Sequence, residues 1–198
     1  MLNAGVSRVD ISPPVGVAHA GWGAQTHQVS LGNDMPLLVT ALVVTKDDNE
    51  LAIVDVDIGI FTSQQDHDIR QLISDESGIP FENIRLAYTH THSGPITFGQ
   101  WIKEGIDLAN DWWNTIPGAC ATAVKNAKIS VKPARTGFGR GSCDININRR
   151  PVHDNGELFT GRNWGGLVDH DVDVVSFDDA DGNPIATIVN YAMHPTIM

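Results

Sequence analysis

Three histidines stand where this chain could build a metal site. His90 and His92 lie two residues apart in the stretch "YTHTHSGP", and His194 lies in "NYAMHPTIM". A neutral imidazole is a favoured zinc ligand, and a His-x-His pair can place one ring on a metal and hold the other beside it as a proton donor or second ligand. Spacing alone leaves two interpretations open: a metal site, or polar side chains at the ends of strands.

The residues around each histidine predict the end of a strand. Alternate residues from Ile84 to His92 are predicted to share one face of a strand, on which positions i and i+2 point the same way about 6.5–7 Å apart. His194 follows the apolar run "IATIVNYA" and precedes a proline and a threonine. Because sites commonly open where strands give way to loops, the histidines are expected at strand ends.

The remaining pattern predicts a mixed α/β fold, with layered sheets and helices outside them. The two apolar runs around "KDDNE" predict a strand hairpin, and "DDADGNP" predicts a second hairpin turn, since it lacks the later ligands of a calcium loop. One helix is predicted from Ser63, a candidate cap, to Gly78. Another is predicted from about Ile106 to Lys128, where Pro117 is expected to kink or split it.

Composition limits the classes of function. The 198 residues suit one domain or two small subdomains, and a net charge of -11 argues against nucleic acid and against docking on anionic lipid. No apolar run reaches the length of a membrane span, and no signal peptide opens the chain. The cytoplasm is therefore the default expectation, and secretion applies if an export signal is missing. Cys120 and Cys143 form no C-x-x-C pair and are expected to be two partly buried thiols.

Three stretches, "THTHSGP", "ININRRP" and "NYAMHPTIM", together resemble the neutral/alkaline non-lysosomal ceramidase family. The opening "VDISPPVGVAHAGWG" and the later "GNDMPLLVTALVV" and "VDVDIGI" look like the family's N-terminal pattern, in family order. The family's enzymes are zinc amidohydrolases that cleave ceramide into sphingosine and a fatty acid. The resemblance implies that residues 1–198 form the N-terminal part of such a zinc hydrolase domain, a fragment of a longer catalytic domain.

The resemblance also implies roles for individual residues. His90 and His194 would be ligands of Zn2+, His92 would sit beside the metal, and Arg149 would line the site. A zinc ion with an open position acidifies its bound water, which can then attack a carbonyl, and His92 and Arg149 suit stabilisation of the resulting oxyanion. A small-molecule or lipid amide is the substrate that this reading predicts.

The chain also departs from the family. Asp34 and Thr40 stand where a histidine and an arginine are frequent, and Arg150 stands where a small residue is usual. The family completes its zinc shell with a glutamate and a tyrosine far downstream of "HPT", beyond Met198. Two alternatives therefore stay open: a metal hydrolase of the same scaffold acting on another amide or ester, and a non-catalytic fragment or binding module. A chain cut at this point is expected to hold zinc weakly and to form a homo-oligomer through exposed sheet surface.

Several other residues have two readings. Asp55 and Asp57 are predicted on one strand face, where a buried carboxylate needs a partner. Asp57 could orient a metal-bound histidine or cap the strand end. His170 is a weaker metal candidate, and Ser93 is interpreted as a turn residue and not a nucleophile. Three tryptophans could line a lipid channel, although packing is the default interpretation: Trp101, Trp112 and Trp113.

Overall fold

The computed structural model describes residues 1–19, 21, 25–97, 99 and 101–194. It confirms the mixed α/β fold, with two sheets and two α-helices within those residues. The strands are β1 (Leu2–Asp10), β2 (Leu38–Lys46), β3 (Asn49–Val56), β4 (Ile84–Tyr88), β5 (Lys132–Pro133), β6 (Arg135–Ser142), β7 (Asp171–Asp178) and β8 (Pro184–Tyr191). The helices are α1 (Ser63–Ser77) and α2 (Ile106–Ile129), and a short 3-10 turn covers Phe81–Asn83.

The first sheet has the strand order β4-β3-β2-β1-β5. The predicted β2–β3 hairpin is confirmed, and β1 pairs antiparallel with both β2 and β5. β3 and β4 are parallel, and α1 connects them. Since parallel strands end at the same edge of a sheet, the residues after Val56 come to lie beside those after Tyr88.

Both helices cover one face of this sheet, and their sequences explain where they begin and end. Thr62, not the expected Ser63, caps α1: its hydroxyl accepts from the Gln65 backbone N–H, and the Gln65 side chain accepts from the Thr62 N–H. Gly78 ends the helix in a left-handed conformation, as predicted. α2 passes close to β1 because Gly5 has no Cβ, which would collide with the backbone of Ala127.

α2 runs through Pro117 as one helix, so the expected split does not occur. An interior proline costs a helix about 3 kcal/mol. Buried side chains flank it on both sides, with Ile116 and Val124 fully enclosed against the sheet. Packing of the whole helix on the sheet therefore outweighs the local cost of the missing N–H.

The second sheet, in the order β6-β7-β8, lies on the opposite face of the first. The contact between the sheets centres on the buried side chains of Ala4, Leu42 and Phe177. Away from this contact the second sheet is more open, with Val189 on the outer face 61% exposed and Phe138 on the edge strand β6 69% exposed. The described part of the chain thus has three layers: helices, a five-stranded sheet and a three-stranded sheet. None of its helices is both long enough and apolar enough to cross a lipid bilayer.

Candidate metal centre

The fold brings the three histidines together from two different sheets. One ligand nitrogen from each of His90, His92 and His194 lies within 4.8 Å of the others. The ring centroids are 5.0 Å apart for His90–His92, 5.0 Å for His90–His194 and 4.9 Å for His92–His194. Nitrogens bound to one tetrahedral zinc at about 2.1 Å lie roughly 3.4 Å apart. Small side-chain rotations would therefore close the cluster around an ion.

The backbone turns sharply at the first of these histidines. β4 ends at Tyr88, so the prediction that the strand continues to His92 is wrong. His90 has a left-handed backbone with φ of 55°, and Asp47 in the β2–β3 turn is the other described non-glycine residue of this kind. The left-handed conformation costs an ordinary residue about 1–2 kcal/mol. Such strain concentrates at functional sites, where the surrounding structure holds the residue in place.

Backbone carbonyls orient two of the rings. His90 Nδ1 lies 2.5 Å from the Gly59 carbonyl oxygen, and His92 Nδ1 lies 3.2 Å from that of Gly21. A carbonyl oxygen only accepts, so each Nδ1 carries the proton, and each neutral ring keeps a lone pair on Nε2. His92 Nε2 is buried without a hydrogen-bond partner, which is costly in a purely structural role. These two rings therefore present the tautomer that binds a metal or accepts a proton.

The partner of His90 follows from the topology. Gly59 lies just after β3, and the parallel β3–β4 pair brings it beside the turn at His90. The approach is close, since a Cβ on Gly59 would lie 3.3 Å from the Thr91 carbonyl oxygen. This contact could not be predicted from the sequence, because a carbonyl acceptor leaves no side-chain signal.

His194 opens on a cleft of about 1280 Å³ between the two sheets. Arg149, the expected catalytic cation, lines the same cleft. Burial lowers the pKa of His194 below its usual value, and the nearby Arg149 guanidinium lowers this pKa further, as do the His90 and His92 rings. A lowered pKa keeps the imidazole neutral in mild acid, which is the form that ligates a metal.

The cluster also borders a small cavity of about 70 Å³ on its other side, lined by His92 and Trp113, with His90 between cavity and cleft. The Trp113 indole N–H is buried there without a hydrogen-bond partner. Trp112 is instead buried in the core, and its indole donates to the Ile11 carbonyl over 2.5 Å. Trp101 is 51% exposed. Of the three tryptophans considered for a channel, Trp113 is the one that reaches this cavity.

The other candidate residues lie outside the cluster. The Asp57 carboxylate accepts from the Leu38 N–H over 2.9 Å, which is the strand-end role and not the orientation of a histidine. Asp55 lines the cleft, and burial, with the Asp57 carboxylate, raises its pKa. His170 Nδ1 contacts the Asn146 side-chain oxygen at 2.8 Å, so this ring is engaged away from the three histidines. Ser93 N–H donates to the Thr91 hydroxyl in the turn after His92.

A mixed α/β scaffold with three converging imidazoles at its strand ends describes a candidate metal-dependent enzyme domain. The family model for "Neutral/alkaline non-lysosomal ceramidase, N-terminal" matches residues 2–198. The chain belongs to this family. Among relatives, it is 34% identical over 122 residues to neutral ceramidase A of Dictyostelium discoideum, which covers 59% of this chain and 17% of that protein. It is 26% identical over 203 residues to the neutral ceramidase of Pseudomonas aeruginosa, covering 98% of this chain and 30% of the relative.

Solved structures share the fold. The crystal structure of the Pseudomonas aeruginosa neutral ceramidase superposes with a TM-score of 0.69 at 23% identity, over 95% of this chain and 31% of the other. A structure described as a ceramidase complexed with C2 gives 0.68 at 24% identity, over 95% and 30% of the two chains. The present chain therefore spans less than a third of the length of these relatives.

Proposed function

We propose that residues 1–198 form the N-terminal part of a zinc-dependent amide hydrolase domain that cleaves N-acylsphingosine into sphingosine and a fatty acid. The observation that carries this proposal is the convergence of His90, His92 and His194, with two of the rings fixed in a ligating tautomer. Family membership and relatives named neutral ceramidases support the substrate class.

The residues present suit a zinc ion. His90 and His194 hold Zn2+ in this proposal, His90 through Nε2 because its Nδ1 is tied to Gly59. The bound ion supplies a Lewis acid and a water whose pKa falls towards 7. The left-handed turn at His90 fixes its ring at the junction of the cavity and the cleft, where it meets His194 from the second sheet.

His92 and Arg149 have different catalytic roles in this proposal. The buried Nε2 of His92 accepts a proton as the nucleophile forms and returns it to the leaving amine. The Gly21 carbonyl holds the ring in the orientation that this requires. Arg149 directs its guanidinium charge to the oxyanion that develops in the cleft. The lowered pKa of His194 favours its neutral ring, so that a proton competes less with the metal for this ligand.

A second candidate is the hydrolysis of another amide or ester on the same scaffold. Thr40, where the family often has arginine, lies directly opposite Asp55 in the β2–β3 register, so no cation from that position offsets the Asp55 carboxylate. Asp34, where histidine is frequent, lines a separate cavity of about 620 Å³. More acidic surroundings of the site favour a more polar or cationic substrate.

We also propose that the chain self-associates. The second sheet exposes apolar side chains on its outer face, such as Val189, and on its edge strand β6, such as Phe138, and association would cover such side chains. Light scattering is expected to show an oligomer, and a strict monomer would contradict this.

The test combines metal content with turnover. His90→Ala and His194→Ala should lose zinc, whereas His92→Ala and Arg149→Ala should keep zinc and lose turnover, measured in the longer protein that contains this segment. His67→Ala is the control, because His67 is an exposed helix residue outside the cluster. Equal zinc content in the wild type and His90→Ala would refute the ligand assignment, and zinc loss in His92→Ala would make that residue a third ligand.

Substrate choice separates the two catalytic candidates. Long-chain N-acylsphingosines should be cleaved and short polar amides ignored if the first is right. The reverse preference would favour the second. Absence of both zinc and turnover would leave the non-catalytic alternative.

A further inference from the structure

Asn146 joins three separate segments that lie at the end of the second sheet. It is 6% exposed and is one of two buried polar residues among those the structure describes. Its side-chain amide donates to the Ala192 carbonyl over 2.6 Å and to the Asp169 carbonyl over 2.7 Å. Its side-chain oxygen faces His170 Nδ1 at 2.8 Å. One buried carboxamide thus connects its own segment, the residues before β7 and the end of β8.

The connected segments are those that carry the site. Ala192 lies two residues before His194, and Arg149 lies three residues after Asn146. Tyr191 adds a second link, since its hydroxyl donates to the Cys143 carbonyl over 3.0 Å and accepts from the Asn146 backbone N–H over 3.2 Å. The two links together fix the end of β8 against the segment that leads into the cleft.

An amide is the group that this geometry requires. Two carbonyl oxygens face the side chain, so both contacts need N–H donors, and a third neighbour needs an acceptor. An ionised aspartate has the same shape but only acceptors, and it would place a negative charge against the Asp169 and Ala192 carbonyls. The aspartate would therefore leave both carbonyls without the N–H donors that the carboxamide supplies.

We propose that Asn146 is a positioning residue that sets the place of His194 relative to His90 and Arg149, and that His170 holds the Asn146 carboxamide in the orientation this requires. The inference rests on the proposed metal site. Asn146 itself touches neither the metal nor the substrate in this scheme. It acts by holding the end of β8 where the His194 ring completes the cluster.

The test uses the 198-residue chain and the metal alone. Co2+ replaces zinc because its visible absorption reports the geometry of its ligands. Asn146→Asp should weaken Co2+ binding at least tenfold and change the absorption of the bound ion. Asn126→Asp is the matched control, because it adds the same charge at an exposed position of α2 that does not line the cleft, and it should bind Co2+ within twofold of the wild type.

Hydrogen exchange of the metal-free protein gives the second readout. Amides of residues 143–149 and 190–194 should exchange faster in Asn146→Asp, while those of β1–β3 keep the wild-type rate. His170→Ala should produce a smaller increase in exchange at the same amides. This variant replaces Asn146→Asp in the experiment if Asn146→Asp does not fold. A lower melting temperature with unchanged Co2+ absorption, affinity and local exchange would overturn the proposal, since it would show a role in stability alone.

The same data separate this inference from the proposed function. If the wild type binds no Co2+, or if His90→Ala binds it equally well, the metal site is wrong. The exchange comparison then still decides whether Asn146 joins the two segments, and unchanged exchange would refute that as well.

Discussion

The left-handed backbone of His90 predicts an unusual order of stability for two substitutions. With φ of 55°, His90→Ala keeps a strained backbone, whereas His90→Gly removes the strain. The strain is about 1–2 kcal/mol, and the greater freedom of unfolded glycine offsets about 0.4–1 kcal/mol of it. Both variants lose the hydrogen bond to Gly59 equally. His90→Gly should therefore be more stable than His90→Ala by roughly 0.5–1 kcal/mol, a difference in melting temperature of about 1–4 °C.

Adding zinc to the same assay distinguishes the backbone strain at His90 from the role of His90 as a metal ligand. At a zinc concentration 100 times the dissociation constant, the wild type should gain about 2.7 kcal/mol, or about 5–10 °C in melting temperature. Neither His90 variant should show this gain. Thermal unfolding with and without zinc measures both effects.

His67 provides the control, because it lies inside α1. Glycine is about 1 kcal/mol less favourable than alanine in a helix, so His67→Gly should be less stable than His67→Ala, the opposite order. Both should keep the response to zinc. If His90→Ala proves as stable as His90→Gly, the left-handed assignment is wrong, and a full zinc response in either His90 variant would refute its role as a ligand.

Further predictions concern the cleft, the thiols and an ion pair. Arg149→Ala should leave zinc affinity unchanged and lower kcat for amide hydrolysis by about 10²–10³-fold, the loss typical of an oxyanion donor; an unchanged kcat would contradict this. A thiol reagent should modify half-buried Cys143 in the native protein but Cys120 only after unfolding, because burial raises the Cys120 pKa to about 12. The Lys132 ammonium, with nearby backbone, holds the pKa of Asp179 below its usual value, so this contribution to stability is present above about pH 4 and is lost in stronger acid. The melting temperatures of the wild type and Asp179→Asn should converge as the pH falls below about 4.

Local sequence signals gave the elements of the fold but not the site's fine geometry. Alternation and turn residues predicted both hairpins, and Gly78 marked the end of α1. The split expected at Pro117 does not occur, because its local cost competes with packing along the whole of α2, which no local pattern reports. The turn at His90 could not be predicted for a related reason: "YTHTH" continues the strand alternation, whereas the contact of His90 with Gly59, which follows the neighbouring strand, is a tertiary contact. Asn146 carried no periodic signal, since its three partners lie 23 to 46 residues away.

A metal bound at the cluster of three histidines would also help to hold the two sheets together. His90 and His92 leave the helix-covered sheet, whereas His194 follows the last strand of the other sheet. The sheets meet through a small buried cluster, Ala4, Leu42 and Phe177, and a large cleft separates them where the histidines converge. A metal held from both sides would join the layers where few apolar side chains do so. The affinity of the site for the metal would then depend on the relative position of the two sheets. It would therefore also depend on the hydrogen bonds of Asn146 that fix the end of β8.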